Sequence, residues 1–342
     1  MRTLLLFWLF VASGADSLQV MFWNVENFFD WRNDSTTVSD VEFSAAGERH
    51  WTWKRFQAKA NAFAKAVFWV EAETGRLPDI IGLEEVENAF VLRQVLQKTA
   101  LRKLDYKYVH YDSPDRRGID VALLYRSSRL ELLDSKPCHL FSADTVMATR
   151  DILLCVFQKD SAKVAVLVNH HPSKYGGAAV SEPRRRIAVE RLRFLADSLA
   201  AVGIDRIVAG GDFNDTPDNP VFGLLEPVLL PMHMDLFRRG LGTIKFDGKW
   251  DLIDHIYVSP ALVSGPMSAA TLESFSGDVD RKTDMVGAPS ARARMRILRI
   301  PFLLTRDTVH SGEKPLRTYT GPRHTGGVSD HLPVLLEVPL PP

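Results

Sequence analysis

Six short apolar runs in this sequence end in side chains that carry oxygen or imidazole nitrogen. Runs of this length that end in polar residues are typical of buried β-strands whose ends reach an open edge of a sheet. One polar residue after a strand is ordinary turn chemistry, but six such ends in one chain indicate a shared site. The polar ends are Asn24, Glu84 with Glu85, Asn169 with His170 and His171, Asp212 with Asn214, Asp254 with His255, and Asp330 with His331.

The rest of the pattern alternates strands with a few long helices and predicts an α/β fold. Apolar residues at helical spacing predict helices over 54–73, 89–101 and 183–201. No repeat or linker divides the chain, so residues 16–342 are predicted to form one domain, and 30–50 is expected to be irregular. Strands are predicted over 18–23, 79–83, 119–125, 152–157, 164–168, 206–209, 254–258 and 334–338.

The composition excludes a chain that captures polyanions through its overall charge. The 342 residues include 42 lysines and arginines and 42 aspartates and glutamates, so the formal net charge is zero. Any attraction of an anionic substrate must therefore be local. Apolar residues make up 46% of the chain, which is enough for a large buried core.

The first 15 residues have the pattern of a signal peptide. Arg2 gives a positive start, 4–12 is an unbroken apolar run, and Ser13 to Ala15 supplies the small residues that a signal peptidase needs. The run is too short to span a bilayer, which takes about 20 apolar residues, and the alternative is a buried N-terminal strand. We predict an exported protein, periplasmic or secreted, that begins near Asp16, is monomeric and has no stable membrane insertion.

The residue types at the six strand ends agree on one kind of chemistry. Carboxylate and amide oxygens are ligands of hard divalent cations, so Mg²⁺ is predicted, with Mn²⁺ or Ca²⁺ as alternatives. Histidines beside aspartates are suited to proton transfer and to stabilising a charged phosphate. Asp212 and Asn214 are two residues apart, so an extended backbone would point both side chains to one side.

Taken in chain order, these segments resemble the endonuclease/exonuclease/phosphatase superfamily. The resemblance runs from about Asn24 to Val334 and lies in Phe-Trp-Asn-Val-Glu-Asn, Ile-Gly-Leu-Glu-Glu-Val, Val-Asn-His-His-Pro-Ser, Gly-Gly-Asp-Phe-Asn, Ile-Asp-His-Ile and Ser-Asp-His-Leu-Pro-Val. It implies a four-layered α/β sandwich of two packed mixed β-sheets flanked by helices, with a site for metal-dependent phosphate ester hydrolysis at one edge. The stretch that begins at Lys314 resembles an exported bacterial branch.

The resemblance also implies a role for each residue. Asn24 and Glu85 would bind the metal, with Asp330 as a further ligand. His331 would contact the scissile phosphate and assist proton transfer, and Asp254 would fix its tautomer.

The remaining roles fall on the residues that follow the other strands. Asp212 would orient or deprotonate the attacking water, and Asn214 would hold the phosphate. His170 resembles the second histidine of the deoxyribonuclease and sphingomyelinase branches, and Asp120 is expected to orient it.

Several alternatives stay open at this point. Glu84 competes with Glu85, and His171 with His170, because strand phasing does not choose between neighbours. The other open choices are whether Cys138 and Cys155 pair or stay free thiols, whether the basic segment 277–299 is a surface excursion or a substrate-facing rim, and whether the aromatic residues at 28–31 and 51–53 pack or stack on bases.

The predicted function is that of an exported phosphodiesterase that depends on a divalent metal. The leading interpretation is a nuclease that hydrolyses DNA or RNA by metal- and histidine-assisted attack of water on phosphorus. The alternative is a phosphoesterase that acts on a phospholipid head group or on a phosphorylated sugar or inositol. A non-catalytic binding module would be expected to lack a catalytic residue, and none is missing here.

Overall fold

The computed structural model of the chain describes residues 17–34, 37–174, 177–263 and 293–340. The predicted signal peptide, residues 1–15, and residues 277–292 of the basic segment lie outside these ranges. Within the described ranges, no helix combines the length and the apolar character needed to cross a membrane.

Two six-stranded sheets form the centre of the molecule. The first contains, in spatial order, β15 (Arg294–Ile297), β20 (Val334–Pro339), β1 (Ser17–Phe28), β2 (Ile80–Val86), β4 (Asp120–Arg126) and β3 (Tyr106–His110). The second contains β11 (Leu230–Pro231), β14 (Asp254–Val258), β10 (Arg206–Asp212), β9 (Ala162–His170), β8 (Ile152–Lys159) and β5 (Glu131–Cys138). Both are mixed, because β1 runs parallel to β2 and β9 runs parallel to β10, whereas the other neighbours are antiparallel.

Helices lie on the outer faces of the two sheets, and short ribbons connect the strands. The helices are α1 (Val38–Glu42), α2 (Trp53–Thr74), α3 (Ala89–Lys98), α4 (Ala178–Ala201) and α5 (Met234–Arg238). The ribbons are β6 (Phe141–Ser142) with β7 (Thr145–Val146), β12 (Ile244–Phe246) with β13 (Lys249–Asp251), β16 (Leu304–Arg306) with β17 (Glu313–Pro315), and β18 (Tyr319–Thr320) with β19 (Arg323–His324).

The apolar residues form three buried layers, which confirms the expected four-layered sandwich. Between the first sheet and α2, Trp23 stacks on Phe63 with ring centroids 5.6 Å apart. Between the sheets, alternate residues of β1 and β9 such as Phe22 and Val166 form a second core. Leu192 of α4 belongs to the third, against the outer face of the second sheet.

Three of the sequence-based boundaries differ from the observed ones in ways that bear on the site. The helix predicted to start at residue 183 begins at Ala178, so Pro183 lies inside α4 rather than in its first turn. The first strand continues to Phe28, and β2 continues to Val86, so both glutamates of β2 belong to the strand itself. Asn24, Glu84 and Glu85 are thus carried by strands and not by loops.

The basic segment is a strand where it is described. Arg294–Ile297 pairs with β20 at the edge of the first sheet, and Met295 is buried in the core between the sheets. Arg296 pairs with Glu337 on the neighbouring strand at 3.3 Å. The interpretation of these residues as a surface excursion is therefore wrong, because alternate side chains of the segment are needed to complete the sheet.

The two cysteines are buried free thiols. Cys155 of β8 faces the core between the sheets, whereas Cys138 of β5 faces the core beneath α4. In the register of the two strands, Cys155 lies opposite Ser135 and Cys138 lies opposite Ile152. Two cysteine side chains on opposite faces of a sheet cannot form a disulfide. Of the two possibilities left open by the sequence, the structure therefore shows free thiols.

The two sheets make a close contact at Phe22. Its buried ring lies against Gly82 of β2 and Gly210 of β10, where an added Cβ would stand 2.5 and 2.4 Å from ring atoms. Only glycine fits at such a distance. Alternate residues share a face of a strand, so Asn24 follows Phe22 and Asp212 follows Gly210 on the facing sides of the two sheets.

Gly210→Ala is expected to lower the free energy of unfolding by about 1–3 kcal/mol, the usual cost of overpacking, because the new methyl group overlaps the ring of Phe22. Urea denaturation of the purified protein measures this. Gly223→Ala is the control, since nothing lies within 4 Å of the Cβ position there, and its effect should stay within about 0.5 kcal/mol. Equal stability of the two variants would contradict the close contact at Phe22.

Candidate active site

Polar residues from both sheets meet at one edge of the sandwich. Asn24 of β1 donates a hydrogen bond from Nδ2 to Oδ2 of Asp212, the last residue of β10, at 3.0 Å. The Nε2 atoms of His170 and His331 lie 3.6 and 3.9 Å from the same oxygen. All four residues are buried. The structure therefore brings four of the residues expected at the site around one carboxylate oxygen.

His331 is held by Asp254, as the sequence predicts. Nδ1 of His331 donates to the Asp254 carboxylate, whose oxygens lie 2.9 and 3.1 Å away, and the hydroxyl of Thr243 donates to the same carboxylate. Burial opposes protonation of the imidazole, but the adjacent Asp254 outweighs it and raises the pKa of His331 well above its ordinary value. Nε2 is left facing the site as a donor.

The chain turns immediately after Asp212. Asn214 has a φ of 54°, its N–H donates to Oδ1 of Asp212 at 2.8 Å, and its Nδ2 donates to the carbonyl of His171 at 2.9 Å. The expected extended backbone is wrong here, because the Asp212 carboxylate stabilises a turn that brings Asn214 beside it. Burial raises the pKa of Asp212 to about 7, against the opposing effect of His331 and with a contribution from Asp254.

Glu84 and Glu85 occupy different environments. Glu85 has a φ of 65° where the register of β2 shifts; its Oε1 lies 4.0 Å from Nε2 of His170, and its Oε2 accepts a backbone N–H of β1. Glu84 is fully buried, and neither of its oxygens has a hydrogen-bond partner among the described residues. Burial, followed by Asp254 and Asp212, raises the pKa of Glu84 well above its ordinary value. Glu85 therefore reaches the open site, and Glu84 lies beneath it.

Asp330 is part of a group of alternating charges. Its Oδ2 lies 3.0 Å from Nη2 of Arg317. The guanidinium of Arg317 also donates two hydrogen bonds to Oε1 of Glu26, from Nε at 2.9 Å and from Nη2 at 2.8 Å. The buried Lys59 donates to the carbonyl of Glu26. Burial and then Asp330 raise the pKa of Glu26 to about 7, and burial lowers that of Lys59 to about 8. Asp330 is thus an ion-paired carboxylate at the border of the site.

Glu26, Lys59 and Arg317 were not predicted as site residues. Lys59 had a detectable signal, since it lies in the apolar stripe of α2 between Phe56 and Phe63, and a lysine on a buried face needs a partner. Arg317 had no such signal in the sequence, because its position at the site depends on how the segment before β18 folds.

Asp120 does not orient His170. Its Oδ1 accepts the backbone N–H of Ser113 at 2.9 Å, and its Oδ2 lies 3.2 Å from Nε2 of His110. Nδ1 of His170 has no partner among the described residues. The expected contact is wrong because Asp120 shares a face of β4 with residues that pack against the helices, whereas His170 belongs to the other sheet.

His171, the alternative to His170, lies behind the site in a buried aromatic cluster. Its ring centroid is 4.4 Å from that of Phe213, which stacks on His255 at 4.9 Å, and His255 stacks on His233 at 4.2 Å. Burial lowers the pKa of His171 to about 3 and that of His233 to about 4, and it places that of His255 well below its ordinary value. These are neutral packing residues, so His170 is the histidine that reaches the site.

The residues at the strand ends fit a hard divalent cation. Glu85 and Asp212 offer carboxylates, Asn24 offers an amide oxygen, and an all-oxygen set of this kind suits Mg²⁺ better than zinc. The site also has unpartnered polar atoms, because neither oxygen of the buried Glu84 beneath it has a hydrogen-bond partner among the described residues. A second group of candidate ligands, with ligating atoms within 4.8 Å of one another, consists of His110, Asp112 and Asp120.

Comparison with known proteins gives a consistent picture. Residues 19–339 match the model of the endonuclease/exonuclease/phosphatase family. The chain is 26% identical over 198 residues to Protein angel of Drosophila melanogaster, which covers 52% of this chain and 54% of that protein. The chain therefore spans about half the length of the curated relative it matches.

Solved structures share the fold at low sequence identity. Truncated TDP2 of Caenorhabditis elegans has a TM-score of 0.58 at 15% identity and covers 96% of this chain and 99% of its own. The human nocturnin catalytic domain has a TM-score of 0.55 at 16% identity and covers 94% of both chains. The mannosyl-6-phosphatase of Bacteroides thetaiotaomicron has a TM-score of 0.55 at 16% identity, with 94% and 99% covered.

Asp254→Asn is expected to lower kcat by about 10²- to 10⁴-fold with little change in KM, because a neutral amide does not stabilise the positive charge of a protonated His331. Steady-state kinetics on a phosphodiester substrate measures the effect. Asp251→Asn, on the neighbouring ribbon strand β13, is the matched control and should keep the wild-type kcat. An unchanged kcat in Asp254→Asn would rule out the assigned role of the pair.

The buried histidines are expected to make the fold sensitive to acid. His233 binds no proton in the folded chain until the pH reaches about 4, whereas the unfolded chain binds one below 6.5. Its contribution to stability is therefore complete above pH 6.5 and is lost as the pH falls from 6.5 towards 4. His233→Gln should reduce the slope of the free energy of unfolding against pH in this window, measured by urea denaturation, and the exposed His50→Gln should not. An unchanged slope in His233→Gln would contradict the assignment.

Proposed function

Because the chain belongs to the endonuclease/exonuclease/phosphatase family and is therefore a hydrolase of phosphate ester bonds, we propose that it is a divalent-metal-dependent phosphodiesterase, and specifically a nuclease. The observation that carries the proposal is the meeting of Asn24, His170 and His331 around one oxygen of Asp212. A solved D. rerio TDP2 structure of the same fold is described as complexed with a single strand DNA product, which supports nucleic acid as the substrate class.

Asp212 is the group placed to orient and deprotonate the attacking water. One of its oxygens is fixed by the N–H of Asn214 and the other by the amide of Asn24. Burial raises its pKa to about 7, so its carboxylate can accept a proton near neutral pH, where a general base is most effective. The second N–H of the Asn214 amide can hold a phosphate oxygen.

The two histidines supply donors of different charge. His331 is kept protonated by Asp254 and presents Nε2–H to the phosphate or to the leaving oxygen. Burial and then Arg150 and Arg117 lower the pKa of His170, so it faces the site as a neutral ring. Charge that develops on the phosphoryl oxygens thus meets a fixed cation on one side and a neutral donor on the other.

Glu85 and Asn24 are the residues that would hold the cation, which we propose to be Mg²⁺, with Mn²⁺ or Ca²⁺ as alternatives. Asp330 would join them only if its pairing with Arg317 were released. A bound divalent ion polarises the phosphoryl oxygen and offsets negative charge in the transition state.

The proposal includes a location and a second candidate substrate class. The pattern of residues 1–15 supports export to the periplasm or the exterior. We propose in addition that the protein is a monomer without stable membrane insertion. The similar fold of a mannosyl-6-phosphatase and the zero net charge of the chain favour, as the alternative, a phosphorylated sugar or inositol, or a phospholipid head group.

Incubation of the purified protein with plasmid DNA, RNA and bis(4-nitrophenyl) phosphate in Mg²⁺ tests the proposal. Cleavage of DNA or RNA is expected, with loss of activity in a chelator and recovery on addition of excess Mg²⁺. Parallel samples contain mannose 6-phosphate and phosphatidylcholine vesicles. Release of phosphate or phosphocholine while nucleic acid stays intact would move the assignment to the alternative, and no turnover of any phosphodiester would reject the leading proposal.

Asp212→Asn separates this activity from a contaminating nuclease. The variant should lose at least about 100-fold in kcat, in line with the usual contribution of a general base. Asp218→Asn removes an exposed carboxylate six residues further along the chain and should retain full activity.

A further inference from the structure

We propose that Arg117 forms a second phosphate subsite beside the active site, for an anionic group that flanks the bond to be cleaved. This inference rests on the proposed phosphodiesterase function. It adds a preference for substrates that carry two or more phosphate groups, as an oligonucleotide does.

Arg117 lies at the rim of the site, on the loop between β3 and β4. Its Nη1 is 3.8 Å from Oε1 of Glu85, the same oxygen that lies 4.0 Å from Nε2 of His170. Its side chain is 45% exposed. The guanidinium therefore stands one side chain away from the residues around Asp212 and faces solvent.

The guanidinium of Arg117 has donors to spare. Its contacts with Glu85 and with Asp115, at 3.8 and 3.7 Å, are longer than a hydrogen bond, and none of the described residues accepts a shorter one from it. Arg317 at the same site is 48% exposed but uses Nε and Nη2 on Glu26. The N–H donors of this planar guanidinium are available, and their geometry matches the oxygens of a phosphate.

The backbone of Arg117 is fixed although its guanidinium is not. Its N–H donates to Oδ1 of Asp115 at 2.9 Å, and its carbonyl accepts the hydroxyl of Thr37 at 3.2 Å. Oδ2 of Asp115 pairs with Nη1 of the buried Arg150 at 3.0 Å, and Nη2 of Arg150 donates to the carbonyl of His171 at 2.8 Å. This loop is therefore tied to the end of the strand that carries His170, so the backbone from which the guanidinium extends is held in place before a ligand binds.

The charges of this group also favour an anion. Arg150 already neutralises Asp115 through a contact at 3.0 Å, so Arg117 is not needed to balance that carboxylate. Arg117 and Arg150 carry two positive charges against the single carboxylate of Asp115. The remaining charge faces Glu85 at 3.8 Å, a distance that leaves the N–H groups of Arg117 available to a phosphate. A local positive charge at the mouth of a cleft is what an uncharged protein needs to select a polyanion.

The experiment compares Arg117→Ala and Arg117→Lys with the wild type on three substrates. These are bis(4-nitrophenyl) phosphate, thymidylyl-thymidine, and the same dinucleotide with a 5′-phosphate. Arg117→Ala should raise KM for the phosphorylated dinucleotide by about 10- to 100-fold, the usual effect of a charge-assisted pair, with little change in kcat. Its effect on KM for the two single-phosphate substrates should be much smaller. Arg117→Lys should recover part of the loss, and Arg116→Ala, the preceding exposed arginine, should behave as wild type.

Binding measured in a chelator provides a readout without turnover, as competition of both dinucleotides against a fluorescent oligonucleotide. The wild type should bind the phosphorylated dinucleotide more tightly, and Arg117→Ala should abolish the difference. If bis(4-nitrophenyl) phosphate is hydrolysed but the 5′-phosphate changes neither KM nor binding, or if Arg117→Ala lowers kcat equally on all substrates, the subsite is rejected and the phosphodiesterase stands. If nothing is hydrolysed, the proposed function fails, and the binding difference alone decides the subsite.

Discussion

The hydrogen bond from Asn24 to Asp212 is the interaction on which the site depends, because it joins the first sheet to the second. Each partner stands two residues beyond a member of one close contact between the sheets, that of Phe22 with Gly210. Residues two apart share a face of a strand. The spacing that admits an aromatic ring against a bare glycine therefore also brings the amide to the carboxylate, and the geometry of the site follows from the packing of the core.

The site brings several carboxylates together in a buried position where water does not solvate them. Each cationic side chain contacts a particular part of this group. Arg317 and Lys59 bind Glu26 at the border of the site. His331 binds Asp254 at its centre. As a result, the pKa of Asp212 is about 7, and burial raises the pKa of Glu84 beneath it well above its ordinary value. Separating the proton affinities of neighbouring groups in this way is how a single edge of a protein can hold a base and an acid together.

The sandwich and the meeting of the strand ends could be predicted because both are encoded in short-range patterns. Apolar runs mark strands, and the polar residue that ends each run marks the edge where the runs converge. The choice of Glu85 over Glu84 was supported only by resemblance, because it depends on a register shift with a positive φ that no periodicity contains. The prediction that Asp120 contacts His170 was wrong for a related reason. The face of the sheet to which a side chain points depends on how the strands pair, and the sequence pattern does not show this.

Residues that reach the site from loops were outside the scope of such patterns. Arg117, Arg150 and Arg317 come from segments without regular spacing, and their positions follow from the path of the folded chain. Lys59 is the exception, because a charge within an apolar helical stripe is visible in the order of the amino acids themselves.

The position of the last strand has a consequence for how the protein is made. β20 lies between β15 and β1 in the first sheet, and Ser329 just ahead of it donates to the carbonyl of Asn24 across 305 residues of chain. Contacts so distant in sequence form late, since a long loop must close before they are gained. A nascent polypeptide that already holds β1 still lacks both His331 and the strand that completes its sheet. The group around Asp212 is therefore incomplete until His331 has been synthesised, and a chain that stops before β20 is not expected to hydrolyse phosphate esters.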